Sequence, residues 1–147
     1  MEKIKNEMDS VVASDKQAYL AMIQEPISRL STASSIFKGF AATIVAGFLA
    51  LSNEDIRLPL LLLSFIPVIA FAVIDTYYLQ LERLYRGLYN DVLMDRHKTD
   101  FSMQISYNRD SKKRANASIF QCLKSPSIWL FYPVIIAVLI AICIFRT

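Results

Sequence analysis

Residues 125–145 read SPSIWLFYPVIIAVLIAICIF and carry no charged side chain. At 1.5 Å per residue an α-helix of this length covers about 31 Å, the thickness of the hydrocarbon core of a bilayer. Backbone N–H and C=O groups in hydrocarbon must be paired within the segment, which selects a helix. Two further stretches, Gly39–Asn53 and Leu58–Ile74, are also free of charge. Each becomes long enough to cross once Lys38 or Asp75 at its inner end extends toward the interface. The sequence therefore predicts an all-α integral membrane protein with three transmembrane helices.

Composition agrees. Hydrophobic residues make up 54% of the chain and the mean hydropathy is +0.37. Tyr78, Trp129 and Tyr132 fall near predicted span ends, where amphipathic rings favour the interface. A net charge of +3 is too small for a polyanion binder, and no nucleic-acid module is recognisable. Cys122 and Cys143 are too few for a disulfide framework and are expected on opposite sides of the membrane, hence unpaired. The N-terminus lacks a short apolar core followed by a small-residue cleavage site, so the first span is expected to serve as an uncleaved anchor.

Charge sets the orientation. The segment 81–124 holds Arg83, Arg86, Arg96, Lys98, Arg109, Lys112, Lys113, Arg114 and Lys124, and Lys3, Lys5, Lys16, Arg29 and Lys38 precede the first span. Only Arg57 lies in the loop between spans one and two, and only Arg146 follows span three. Positive residues stay cytoplasmic, so the N-terminus is predicted inside and the C-terminus outside. Lys112, Lys113 and Arg114 are the candidate contact with anionic lipid headgroups, with plain topology determination as the alternative.

The expected organisation is one structural unit: a cytoplasmic amphipathic helix (1–25), the first transmembrane helix with its lead-in (26–52), an external turn (53–57), the second transmembrane helix (58–79), a cytoplasmic connector (80–124) and the third transmembrane helix (125–147). Ser52 or Asn53 is placed to cap the second helix, and Glu54 and Asp55 suit the positive end of its dipole. Counting outward from this turn brings Lys38 and Asp75 to the same depth, which predicts an ion pair within the hairpin or between subunits. A proton or ion site at Asp75 is the functional alternative.

Ser31, Ser35, Gly39, Thr43 and Gly47 recur every fourth residue along span one, with Ala42, Ala46 and Ala50 on the adjacent row. Small residues at this spacing form a flat face for close helix packing, within the chain or between subunits. Pro67 and Pro133 each remove a helical donor and predict kinks in spans two and three. Ser64 is placed to help satisfy the carbonyl freed by Pro67.

On the cytoplasmic side, Ile4, Met8, Val11, Val12, Tyr19, Met22 and Ile23 fall mainly on one side of a predicted helix over Lys3–Gln24. Pro26 then suits the first turn of the next helix, which runs on into span one. The balanced charge of the first helix favours packing on protein over lying on a membrane. Span two is predicted to continue as a helix to Met94, with Leu81, Leu84, Tyr85, Leu88, Tyr89 and Val92 on one face. Glu82 and Arg86 stand in the favourable i, i+4 order for an ion pair. Phe101, Met103, Ile105 and Tyr107 then alternate with polar residues. This predicts an extended linker or a strand that adds to another chain. Asp110 or Ser111 is placed to cap a helix that ends near Leu123.

Catalytic constellations are missing from the sequence. His97 is the one histidine, in a charged connector, and no metal spacing, phosphate loop or nucleophile elbow is present. The expectation is a non-enzyme that needs no cofactor.

Several strings together carry a resemblance. Val12-Ala13-Ser14-Asp15-Lys16-Gln17-Ala18-Tyr19 leads to Met22-Ile23-Gln24, Lys38-Gly39 follows, and Pro67 lies in span two. Asp75, Tyr78 and Leu79 precede Glu82-Arg83-Leu84-Tyr85-Arg86, Leu88-Tyr89 and Asp100-Phe101-Ser102-Met103. Over nearly its whole length the chain resembles a widespread group of small uncharacterised bacterial membrane proteins found in defence-type gene neighbourhoods, sometimes beside a TIR-domain gene. The resemblance implies residence in the bacterial inner membrane, with the C-terminus periplasmic, and an effector role in anti-phage or stress defence. Such an effector would form a homo-oligomer through Ser35, Gly39, Thr43 and Gly47. It would be activated through a cytoplasmic protein partner, such as a signalling or TIR-domain protein, at Glu82, Arg83 and Arg86, and would perturb or permeabilise the bilayer. A non-lytic scaffold for a cytoplasmic partner is the second reading. A small transporter subunit is the third, resting on Asp75 alone.

Overall fold

The computed structural model describes residues 1–51, 57–105 and 118–146, with the backbone alone at 57, 58, 60, 61, 145 and 146. The described residues are all-helical. Helix α1 spans Glu2–Ala50, α2 Arg57–Leu93, α3 Ile119–Leu123, α4 Pro126–Trp129 and α5 Phe131–Arg146. Three stretches within α1, α2 and α4–α5 are long and apolar enough to cross a membrane.

Helix α1 is 49 residues long, about 73 Å at the helical rise. Its first 37 residues contain no glycine and are rich in Ala, Lys, Gln, Met and Glu, all good helix formers. The amphipathic segment and the first apolar span are therefore one rod. Pro26 removes a single backbone donor, to Met22, yet the helix runs through it. Helix α2 likewise continues through Pro67 and on past the apolar stretch to Leu93. In the third apolar segment the proline has a larger effect. Pro133 cannot donate to the Trp129 carbonyl, and the helix breaks at Leu130 into α4 and α5.

Helices α1 and α2 lie antiparallel and pack along much of their length, around two separate cores. The apolar core joins Ala41 and Val45 of α1, Val68 of α2, Ile128 of α4, and Tyr132 and Leu139 of α5. The distal core joins Tyr19 and Ile23 of α1 to Leu88 and Val92 of α2, with Tyr85, Tyr89 and Met103 packed against it. The apolar faces expected at the start of α1 and the end of α2 thus meet only in part. Ile4, Met8, Val11 and Val12 stay exposed, because every residue from Met1 to Asp15 is uncovered.

The end of α2 is closed by side chains from α1. Asp95 takes the left-handed position (φ 54°) that follows many helices. The Arg96 N–H bonds to the Asp91 carbonyl at 2.8 Å and the Asp95 N–H to that of Val92 at 3.2 Å. Lys16 Nζ reaches across from α1, donating to the Leu93 carbonyl at 3.1 Å and to Asp95 Oδ1 at 2.7 Å. A terminal carbonyl of α2 that has no helical donor is satisfied in this way.

No strand forms among the described residues. Phe101 has φ 54°, which breaks the alternation expected over 101–107 at its first residue. What holds the segment is a turn. Asp100 Oδ1 accepts the Ser102 N–H at 3.0 Å, and the Tyr19 hydroxyl donates to the Ser102 carbonyl at 2.6 Å. The described part of the expected helix ending near Leu123 is the single α3 turn. Its predicted cap at Asp110 or Ser111, Tyr107, and the external-turn residues Ser52, Asn53, Glu54 and Asp55 lie outside the described residues.

Candidate functional site

The most unusual chemistry in the molecule is a buried polar cluster where three elements meet. Helix α1 brings Ser34 and Lys38, four residues apart and so on one face. Helix α2 brings Asp75, and α5 brings Tyr132. Lys38 Nζ lies 2.6 Å from Asp75 Oδ2. The Ser34 hydroxyl donates to Asp75 Oδ1 and accepts a hydrogen bond from Lys38 Nζ at 2.7 Å. The three groups close a ring in which each charge has two partners. The Asp75 side chain is fully buried and that of Lys38 is 17% exposed, so the carboxylate depends on the ring in place of water.

Tyr132 completes the cluster from the third side. Its hydroxyl is buried and lies beside the Asp75 carboxylate, close enough for the two to interact. One turn of the α2 backbone away, the Thr76 hydroxyl donates to the Ala72 carbonyl at 2.6 Å. Burying an ion pair is costly, and removing one partner is costlier because a bare charge remains. The cluster therefore ties α1, α2 and α5 into one register. A small shift of α1 along α2 breaks its contacts together.

The small-residue face lies elsewhere. Ser35, Gly39, Thr43 and Gly47 are all exposed. A Cβ added at Gly39 or Gly47 meets no atom within 4 Å. Neither α2 nor α5 covers this face, so the described helices of the chain leave it unused. The Thr43 hydroxyl turns back on its own helix and donates to the Gly39 carbonyl at 2.9 Å. The face thus presents methyl and Cα–H groups, suited to close helix packing more than to an aqueous lining.

The three candidates Glu82, Arg83 and Arg86 on α2 divide. Arg86 Nη2 and Nε both contact Glu82 Oε1, at 2.7 and 2.8 Å. Glu82 is buried and Arg86 exposed, so this pair is a short polar seam on α2. Arg83 points elsewhere, with its charge felt at Cys122 of α3, where burial pushes the thiol up from its ordinary value. Lys112, Lys113 and Arg114 lie outside the described residues. Neither Cys122 nor Cys143 forms a disulfide.

Besides Tyr132, whose place beside Asp75 depends on how α5 docks, two groups escape a reading of the sequence alone. Ser34 is one of several serines ahead of span one, and only its i, i+4 relation to Lys38 hints at its place. Tyr19 is the other. Burial raises its phenol above the ordinary tyrosine value, and the nearby Asp100 charge adds to this. Its single proton goes to Ser102, which leaves Asp100 Oδ1 at 3.5 Å as an outlying contact. Set beside protein-family models, curated proteins and solved structures, the chain matches none.

Proposed function

We propose that this chain is a membrane-embedded effector that assembles through the uncovered face of α1 and perturbs the bilayer when its cytoplasmic helices are engaged. The observation that carries the reading is that the face Ser35–Gly39–Thr43–Gly47 runs along an apolar helix yet has no partner among the described residues. In lipid, apolar area alone gives helices little reason to associate, and flat small-residue faces supply the close contact that does. A second copy of the chain is the natural occupant. The bacterial inner membrane, the N-terminus-inside orientation and a defence role follow the charge pattern and the resemblance given above.

Depth supports a role for the polar cluster in switching. From Lys38 to the end of α1 is about 18 Å, from Asp75 to the start of α2 about 27 Å, and from Tyr132 to the end of α5 about 21 Å at the helical rise. A hydrocarbon core is about 30 Å thick. With the outer helix ends at the outer boundary, the ion pair sits several Å inside the inner boundary. It is then held in place by its partners alone, and sliding α1 against α2 exposes charge to lipid or admits water.

Two measurements test this. Inducing the chain in bacteria together with its native gene neighbours and their trigger should collapse the membrane potential, read with a potential-sensitive dye. Protection with an unchanged potential would reject permeabilisation. Gly47→Leu should abolish crosslinked oligomers while leaving the protein folded, since the added side chain points into open space. The exposed Ile4–Met8–Val11–Val12 face favours the second reading, a scaffold for a cytoplasmic partner. That reading gains if oligomers persist in Gly47→Leu and the potential holds.

A further inference from the structure

Between the two cores, α1 and α2 part. The opening is a groove of about 620 Å³ lined by Pro26, Arg29, Thr32 and Ile36 of α1 and by Tyr78 and Tyr85 of α2. Its chemistry is graded along its length. Arg29 and Thr32 stand three residues apart on one face of α1, and Ile36 follows one turn beyond Thr32. One end is therefore cationic and hydroxylated and the other apolar, with two tyrosines on the opposite wall. Arg29 is exposed and has no ion pair with any described residue. The lining contains no carboxylate.

We propose that this groove holds one anionic phospholipid of the inner leaflet, with its phosphate on Arg29 and Thr32 and an acyl chain against Ile36 and Tyr78. The proposal rests on the membrane reading above. Arg29 lies nine residues before Lys38, about 13 Å along the helix axis. With Lys38 several Å inside the hydrocarbon, Arg29 falls in the headgroup layer and Ile36 beneath it. Tyrosine rings at that level favour the same boundary. A guanidinium matches a phosphate with charge-assisted hydrogen bonds. The ammonium of a zwitterionic headgroup finds no carboxylate in the lining, so net negative charge is preferred. Bound lipid would fill the gap between α1 and α2 next to the Lys38–Asp75 ring, and so bias the contact between these helices.

The test uses the full chain. Flotation with phosphatidylcholine–phosphatidylglycerol vesicles comes first, and failure to float overturns the membrane reading and the lipid site with it. Native mass spectrometry from micelles holding equal amounts of the two lipids then reads retention. The wild type should keep one phosphatidylglycerol per chain, with a preference of about tenfold, the scale of one charge-assisted contact. Arg29→Gln should float normally and lose the preference. Ile36→Trp, which fills the apolar end and leaves the charge in place, should lose the bound lipid. Arg96→Gln, which removes an exposed cation outside the groove, should behave as the wild type. Equal retention of both lipids by the wild type, or unchanged preference in Arg29→Gln and unchanged retention in Ile36→Trp, overturns the proposal.

Discussion

The same two helices, α1 and α2, are joined twice, by different means. In the apolar half the buried residues are Ala41, Val45 and Val68, small or medium in size, around a charged ring of Lys38, Ser34 and Asp75. In the distal half the buried residues are Tyr19, Ile23, Leu88 and Val92, and the polar contacts lie at the rim, at Lys16–Asp95 and Tyr19–Ser102. One half places its charge inside and its small residues outward. The other keeps its charge at the edge and its large side chains inside. The distal half follows the logic of a water-soluble core, where removal of apolar area from water drives packing. The apolar half suits a solvent in which apolar area gives little drive and buried polar contacts set register.

The sharpest way to break this comparison is to remove one member of the ring. Lys38→Met leaves Asp75 buried and without its cation, which should cost about 3–5 kcal/mol. Thermal unfolding of the purified protein in detergent should show the loss, and Lys38→Met/Asp75→Asn should recover most of it. Equal damage in the single and double variants would mean that the ring is not an energetic unit. Ile23→Ala tests the distal half. A fully buried isoleucine cut to alanine costs about 2–5 kcal/mol, and this small core with one open side should give the lower part of that range. Hydrogen exchange should rise over 84–93 and stay unchanged over 64–75. If both regions loosen together, the two cores are one cooperative unit and the contrast fails.

Much of this was open to a reading of the sequence, for reasons that differ by region. The three apolar stretches are legible because hydrocarbon imposes one rule on every residue of a span. The Lys38–Asp75 contact is legible because few residues separate the first two apolar stretches in the sequence, so counting outward from between them locates the partner. Ser34 and Tyr132 are not, since they owe their roles to rotation of α1 and to the placement of α5, which no local pattern encodes. The exposure of Gly39 and Gly47 is likewise a property of the whole bundle: the spacing shows a packing face but not which neighbour takes it. Alternation over 101–107 misleads because Tyr19 and Asp100 capture the backbone of Ser102, and Phe101 accepts a left-handed conformation to allow it. That conformation is disfavoured for a bulky side chain and is imposed by contacts some 80 residues away in the chain.

Asp100 gives the smallest and most local test of the contrast. The Ser102 N–H holds its carboxyl below the ordinary value of 3.8; burial opposes this, and the His97 ring and the Tyr19 hydroxyl add smaller effects in the lowering direction. A carboxylate whose folded value is depressed contributes stability that is complete above its unfolded value and is lost as pH falls through the folded one. The rim of the distal half should therefore be intact at neutral pH and begin to loosen only as pH drops below about 4. Protection factors over 16–23 and 100–104 should fall in that window and remain high in Asp100→Asn, whose amide oxygen still accepts the Ser102 N–H. The Lys16–Asp95 pair is common to both proteins and cancels in the comparison. Equal loss of protection in the wild type and in Asp100→Asn would mean that the rim of the distal half does not depend on this carboxylate, and the contrast would lose its charged edge at this point.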